Sequence, residues 1–284
     1  MKFRSLVLGF CLFAAPVSNA ALAAGGAGAE QAGGPSSSLN LAMTIYAGGI
    51  TLGKVDMDAK FIDGKYHVVS NLVTSGVVNV FWQSEIQATS NGTWSDHVLQ
   101  PTLYDSFYTG HADKKQEVSL TFENGTPVRL YANPTYPLTG YEVKPEEKKS
   151  TFDPLSAVIY IASGVGADAN SPCNVLAPVY DGRRRYNIQL TKVKDITIKM
   201  DNGLYQGPGL LCAIKYTQLS GYKPRVLKDA NFPDIFARVA IFPSAIAGRK
   251  FVVPLRVWAE SQYGEIAVLA TGLKIDGVTP KSGG

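Results

Sequence analysis

The chain has 284 residues, 45% of them apolar, with 27 Lys and Arg against 23 Asp and Glu, a formal net charge of +4. The charges are spread along the chain, which excludes nucleic acid as the main partner, and no stretch past the N-terminus approaches a membrane span. Length and apolar content suit one large all-β domain or two small ones.

Residues 1–23 read as a secretory signal peptide. Lys2 and Arg4 supply the positive start, Ser5 to Ala15 an apolar core too short to cross a bilayer, and Val17-Ser18-Asn19-Ala20 or Ala21-Leu22-Ala23 a small-x-small cleavage site. Cys11 is no lipidation site, because Phe10 stands where a small residue is needed. Cleavage leaves 25 basic against 23 acidic residues, a net charge of +2. Residues 24–38 are rich in Gly, Ala and Ser without apolar period and read as a flexible leader. A single β-rich domain is expected over 39–277, with 278–284 as a disordered tail.

From Leu39 the pattern is a meander. Leu41, Met43 and Ile45 alternate with polar or small residues, Gly48-Gly49 breaks the run, and Thr51 to Phe61 resumes it before Asp63-Gly64. Asn-Gly or Asp-Gly returns at Asn91-Gly92, Asn124-Gly125, Asp181-Gly182, Asn202-Gly203 and Asp276-Gly277, each beside runs rich in Val, Ile, Thr, Tyr and Phe. Such pairs adopt the left-handed turn that joins antiparallel strands, so a long antiparallel sheet follows. Asn133-Pro134-Thr135-Tyr136-Pro137 and Lys144-Pro145-Glu146-Glu147-Lys148-Lys149 read as exposed connections.

One segment differs. Asp153 is an N-cap, Pro154 occupies the first turn without cost, and Gly164 offers a left-handed stop, which predicts a helix over about 153–163. Leu155, Val158, Ile159 and Ala162 fall on one stripe of it, expected on the concave side of the sheet. A short buried strand is the alternative for Val158 to Ile161. Strands are then expected at Val175 to Tyr180, Arg183 to Leu190, Ile196 to Met200, Leu210 to Leu219, Ile235 to Phe242, Phe251 to Ala259 and Glu265 to Leu273. So many strands with one helix predict a mainly β fold, an antiparallel sheet curled into a barrel, half-barrel or spiral around the helix.

Past the leader, Cys173 and Cys212 remain, and an exported chain pairs them. The 39-residue separation gives a stabilisation of about 4 kcal/mol in the chain-entropy model.

Catalytic signals are thin. His67, His97 and His111 show no metal-binding spacing, there is no Gly-x-Ser-x-Gly elbow and no phosphate loop, and Gly164-Val165-Gly166 ends a helix instead of opening one. No catalytic residue, metal or cofactor is therefore assigned. Arg183-Arg184-Arg185 is the densest positive cluster; on a strand Arg183 and Arg185 share a face, and either they or Arg184 meet the inside of the sheet. Aromatics such as Phe81, Trp82, Trp94, Tyr104 and Trp258 fill a core or line an apolar groove.

Tyr46-x-x-Gly49-Ile50-x-x-Gly53, Asp153-Pro154-Leu155-Ser156, Cys173, Val179-x-Asp181-Gly182-x-x-x-Tyr186, and Cys212 with Tyr216 occur in an order that resembles the bacterial envelope family catalogued as domain of unknown function 3108, over Leu41 to Leu273. The resemblance implies an exported Gram-negative protein without established activity. By analogy of fold alone, a curved sheet over a helix also resembles periplasmic lipid and lipoprotein carriers. The expected function is that of a non-enzymatic periplasmic binding protein of the cell envelope, soluble after signal cleavage. It would hold a lipid or apolar ligand between sheet and helix, with Leu155, Val158, Ile159 and Ala162 as lining and Arg183 and Arg185 for an anionic head. A structural scaffold for other envelope proteins and a cryptic hydrolase are the alternatives.

Overall fold

The computed structural model describes residues 35–76, 83–95, 98–111, 114–166, 171–228, 232–261 and 264–280. The expected signal peptide, the leader as far as residue 34, Phe81, Trp82 and His97 lie outside these.

Alternating apolar and polar side chains make strand of most of the chain. Before the helix come β1 (Ser36–Ala47), β2 (Ile50–Ile62), β3 (Lys65–Thr74), β4 (Glu85–Trp94), β5 (Leu99–Gly110), β6 (Lys114–Glu123) and β7 (Thr126–Asn133). After α1 (Pro154–Ala162) come β8 (Val175–Tyr180), β9 (Arg185–Lys199) and β10 (Gln206–Ser220). The short α2 (Pro224–Lys228) leads to β11 (Ile235–Pro243), β12 (Lys250–Ser261) and β13 (Gly264–Ile275). Among the described residues the strands form one antiparallel sheet in the order β7-β6-β5-β4-β3-β2-β1-β13-β12-β11-β10-β9-β8. Neighbours in space are neighbours in sequence except at β1–β13, where the two ends of the domain meet.

Turn chemistry sets much of this register. Asp63 and Gly64 at φ 50° and 69°, and Asn124 and Gly125 at 51° and 71°, are left-handed at both central positions, as the tight hairpin turn requires. The turn expected at Asn91-Gly92 does not form: both residues lie inside β4, beside a register shift. Glycine is there for closeness, since a Cβ on Gly92 would stand 2.5 Å from the Tyr66 ring and against the Gln100 carbonyl. Two more boundaries move. Ser36 to Ser38, expected in the leader, belong to β1, because they pair with β2 and because Asp276 accepts from Ser37 Oγ (2.6 Å) and Ser38 N (2.7 Å). The strands expected at Arg183 to Leu190 and Ile196 to Met200 are one strand, β9, with a bulge opposite Leu211/Cys212 carrying pairing through the polar stretch between them.

The sheet curls without closing. Among the described residues no ladder links edge strands β7 and β8, yet Gly182, after β8, packs against Val118 of β6 and Leu130 of β7. The seam is spanned by the residues entering α1: Thr151 N donates to Gly125 O at 3.0 Å, while Phe152 pairs in parallel with Val179. Twist brings the edges together, and a two-residue strap takes the place of the missing ladder. α1 sits inside the curl, touching β3, β4 and β5 on one side and β8 and β12 on the other. Its Leu155, Ile159 and Ala162 join the main core with Leu39, Phe61, Val68, Leu120 and Leu255. Val158, expected in the same stripe, is 41% exposed; Ala157 is buried instead against Ala177 and Val179. With sheet on two sides, the buried arc of the helix is wider than a single stripe and is rotated towards β8. Cys173 and Cys212 are bonded, Cα to Cα 6.0 Å, tying the segment before β8 to β10.

Candidate functional site

The helix entrance carries the most chemically dense cluster. Asp153 caps α1 through Oδ1, which accepts from Leu155 N (3.0 Å) and Ser156 N (2.8 Å). Its Oδ2 accepts from Ser156 Oγ (2.5 Å) and Ser90 Oγ (3.0 Å), and Ser156 Oγ is 2.7 Å from both Ser90 Oγ and Tyr66 Oη. Burial pushes the Asp153 carboxyl up to about 6, against the lowering effect of the hydrogen bonds it accepts. An acid, two hydroxyls and a phenol look like catalytic parts. Asp153, Ser156 and Ser90 are nevertheless wholly buried and Tyr66 is 2% exposed, so no substrate atom reaches them. The cluster is a polar pin that holds the helix on β3 and β4.

The residues expected to form one ligand groove are not gathered round any of the clefts described below, of which only one takes a residue from the set, Arg183. Leu155, Ile159 and Ala162 are core, and none of the clefts described below takes a wall from α1. Arg183 and Arg184 are not on a strand; they form the β8–β9 turn, where Asp181 Oδ1 accepts from both backbone N–H groups. Arg183 lies 5.3 Å over Tyr136 and lines a 190 Å³ depression, and Arg184 lies 5.6 Å over Tyr222. Arg185, first in β9, donates to Glu147 O, Tyr186 O and Asn187 Oδ1. These guanidiniums are engaged with rings and backbone, and Arg183 and Arg185 share no binding face. His67 shares a hydrogen bond with Asn91 Oδ1 at 2.7 Å, and among the described residues no three His, Cys, Asp or Glu gather as a metal site needs.

A second cleft lies at the fork where β12 parts from β13, between the β9–β10 hairpin and the β13 residues Glu265, Ala267 and Leu269 that are still paired with β12. Those strands pair only from Arg256↔Leu269 outward; on the other side of that point the Ala270 carbonyl accepts from Asn202 Nδ2 at 2.8 Å, so the tip of the β9–β10 hairpin fills the split. The result is a cavity of 420 Å³ floored by Ile198, Met200, Leu255, Ala267 and Leu269. Its mouth carries Lys199, Asp201, Arg238, Arg256 and Glu265 beside the Gly48-Gly49 turn. A bulge at Arg238/Val239 sets Arg238 opposite Arg256 across β11 and β12, and both guanidiniums lie over Trp258, at 5.6 and 5.2 Å. Glu265 grips Arg256 with both oxygens, at 2.5 and 2.6 Å. A larger depression of 550 Å³ over β3 and β4 is walled by Lys60, Lys65, His67, Asn91 and Thr102.

Sequence reading missed Arg238, Arg256 and Glu265. They are single charges in separate β runs, and only a bulge and the pairing register collect them. The one local signal was Arg256-Val-Trp258, a cation and a ring at i, i+2 on one strand face.

Among curated proteins none matches this sequence. A crystal structure from Brucella abortus, a beta-barrel-like protein of domain of unknown function DUF1849, matches with a TM-score of 0.50 at 12% identity, over 85% of this chain and 97% of that one. At that identity the likeness concerns the fold alone. The family model described as protein of unknown function (DUF3108) matches residues 42–271, from β1 to β13 with α1 and both cysteines inside, and the chain belongs to that family.

Proposed function

We propose that this protein is an exported, non-catalytic binding protein of the cell envelope that takes its ligand from the surface, in the cleft at the β12–β13 fork beside the β9–β10 hairpin, and not between sheet and helix. The contrast between the two places carries the reading: none of the described clefts takes a wall from α1, whose Ile159 is 0% exposed, whereas a cleft with a mainly apolar lining opens beside Arg238 and Leu269, with a volume of 420 Å³ that falls within the range of small-molecule sites, about 300–1,000 Å³. The signal-like N-terminus and the Cys173–Cys212 bond support export to an oxidising compartment. The inaccessibility of the Asp153 cluster supports a non-catalytic role.

Titration with the neutral apolar dye N-phenyl-1-naphthylamine tests the site. One saturable site is expected, lost in Leu269→Trp, which fills the cleft, and kept in Ile159→Val. Binding unaffected by Leu269→Trp would sink the assignment. Fractionation of a Gram-negative host should place a shortened, disulfide-bonded form in the periplasm; an uncleaved cytoplasmic product would refute export. The scaffold reading is favoured by one feature, the exposure of Val128, Leu130 and Tyr131 on edge strand β7, at 53%, 42% and 49%. Photo-crosslinking in the envelope from position 128, with position 54 as control, tests it, and a discrete adduct at 128 alone would support it.

A further inference from the structure

We infer that the β12–β13 cleft is a site for a monoanionic amphiphile, a carboxylate head on an apolar body, with Arg238 as the head-group ligand; this rests on the binding reading above. The reason is an imbalance built into the sheet. Arg238 and Arg256 stand directly opposite one another, an arrangement that like charges disfavour, and they share the ring of Trp258. Glu265 neutralises Arg256 through both its oxygens. Arg238 has no carboxylate within ion-pair distance among the described residues, and its guanidinium is engaged only by the ring.

The charge at the mouth points the same way. Lys199, Arg238 and Arg256 face Asp201 and Glu265, so three cations against two carboxylates leave one positive charge. A single negative charge balances it, whereas a doubly charged phosphate would leave one in excess. Immediately below, Met200, Leu255 and Ala267 are 8%, 0% and 8% exposed and give no hydrogen-bonding floor on which a purely polar solute could rest. A head at Arg238 with an apolar body running over Leu269 and Ile198 satisfies both halves of the cleft at once, the guanidinium fork meeting the carboxylate and apolar surface leaving water.

Isothermal titration of the disulfide-bonded protein with sodium decanoate, decanol, decyltrimethylammonium and inorganic phosphate tests this. Decanoate should bind at one site at least ten-fold more tightly than decanol, and neither the cation nor phosphate should saturate. Arg238→Gln should bring decanoate down to the level of decanol. It removes a like-charge contact and is expected to fold, which its thermal unfolding checks independently. Glu265→Gln should move affinity the other way, because it frees a second guanidinium. Equal binding of decanoate and decanol, unchanged in Arg238→Gln, would overturn the anion assignment while leaving the cleft as a binding site. Phosphate binding as tight as decanoate would overturn the apolar half. Saturation by none of the four would remove both this inference and the reading beneath it.

Discussion

Asp153 offers the sharpest test of how this fold is held. Its carboxyl, pushed from 3.8 up to about 6 by burial, is harder to ionise folded than unfolded. Between those two values the folded chain holds a proton that the unfolded chain has lost, so stability from this group rises as pH falls from about 7 towards about 4 and is lost as pH rises through 6. Above pH 6 the ionised group costs about 3 kcal/mol relative to its unfolded reference, at 1.36 kcal/mol per pKa unit. Asp153→Asn keeps an oxygen for Leu155 N and Ser156 N and offers an amide to the hydroxyls of Ser90 and Ser156, so the cap survives without the buried charge. Urea unfolding of both proteins from pH 4.5 to 8 reads the difference. The wild-type curve should fall relative to the Asn variant by about 2 kcal/mol across that range, the rest of the effect lying below pH 4.5. Parallel curves would show that the carboxyl ionises at its ordinary pKa, and the argument from burial would fail. Asp153→Ala should be costly at every pH, by about 2–5 kcal/mol, since it removes the cap and leaves buried hydroxyls without an acceptor.

Other substitutions probe the packing. Ile159→Ala, at a fully buried position between both sides of the curl, should cost about 2–5 kcal/mol in thermal or urea unfolding; a cost under about 1 kcal/mol would mean that the space beside the helix is loose enough for a ligand after all. Gly92→Ala should destabilise by about 1–3 kcal/mol, because its Cβ meets the Tyr66 ring and the Gln100 carbonyl; no change would mean that β4 shifts freely. Thiol labelling of the denatured, unreduced mature protein should find no free cysteine, and reduction should lower stability by about 4 kcal/mol; two labelled thiols would refute the bond.

What the sequence by itself determined is what local physics can specify. Asp153, Pro154 and Gly164 bound the helix because capping involves only neighbouring backbone, and the observed cap and stop fall where those residues put them. Asp63-Gly64 and Asn124-Gly125 located hairpins because a left-handed turn favours those residue types wherever it occurs. The same dipeptide at Asn91-Gly92 misled, since a glycine serves a close contact as well as a turn, and the Tyr66 ring it accommodates is 26 residues away in the chain. The tertiary structure alone decided the rest. The Leu155–Ile159–Ala162 stripe is core because the sheet curls far enough to cover the helix from both sides, and that follows from twist summed over many strands. Arg183 to Arg185, conspicuous as a run, are taken up by Tyr136, Tyr222 and local backbone. Arg238, Arg256 and Glu265, inconspicuous in the chain, form the mouth of the cleft because a bulge in one strand pair and a split in the next set their positions. Register and strand divergence are long-range properties, and a site assembled by them is written nowhere in a single segment.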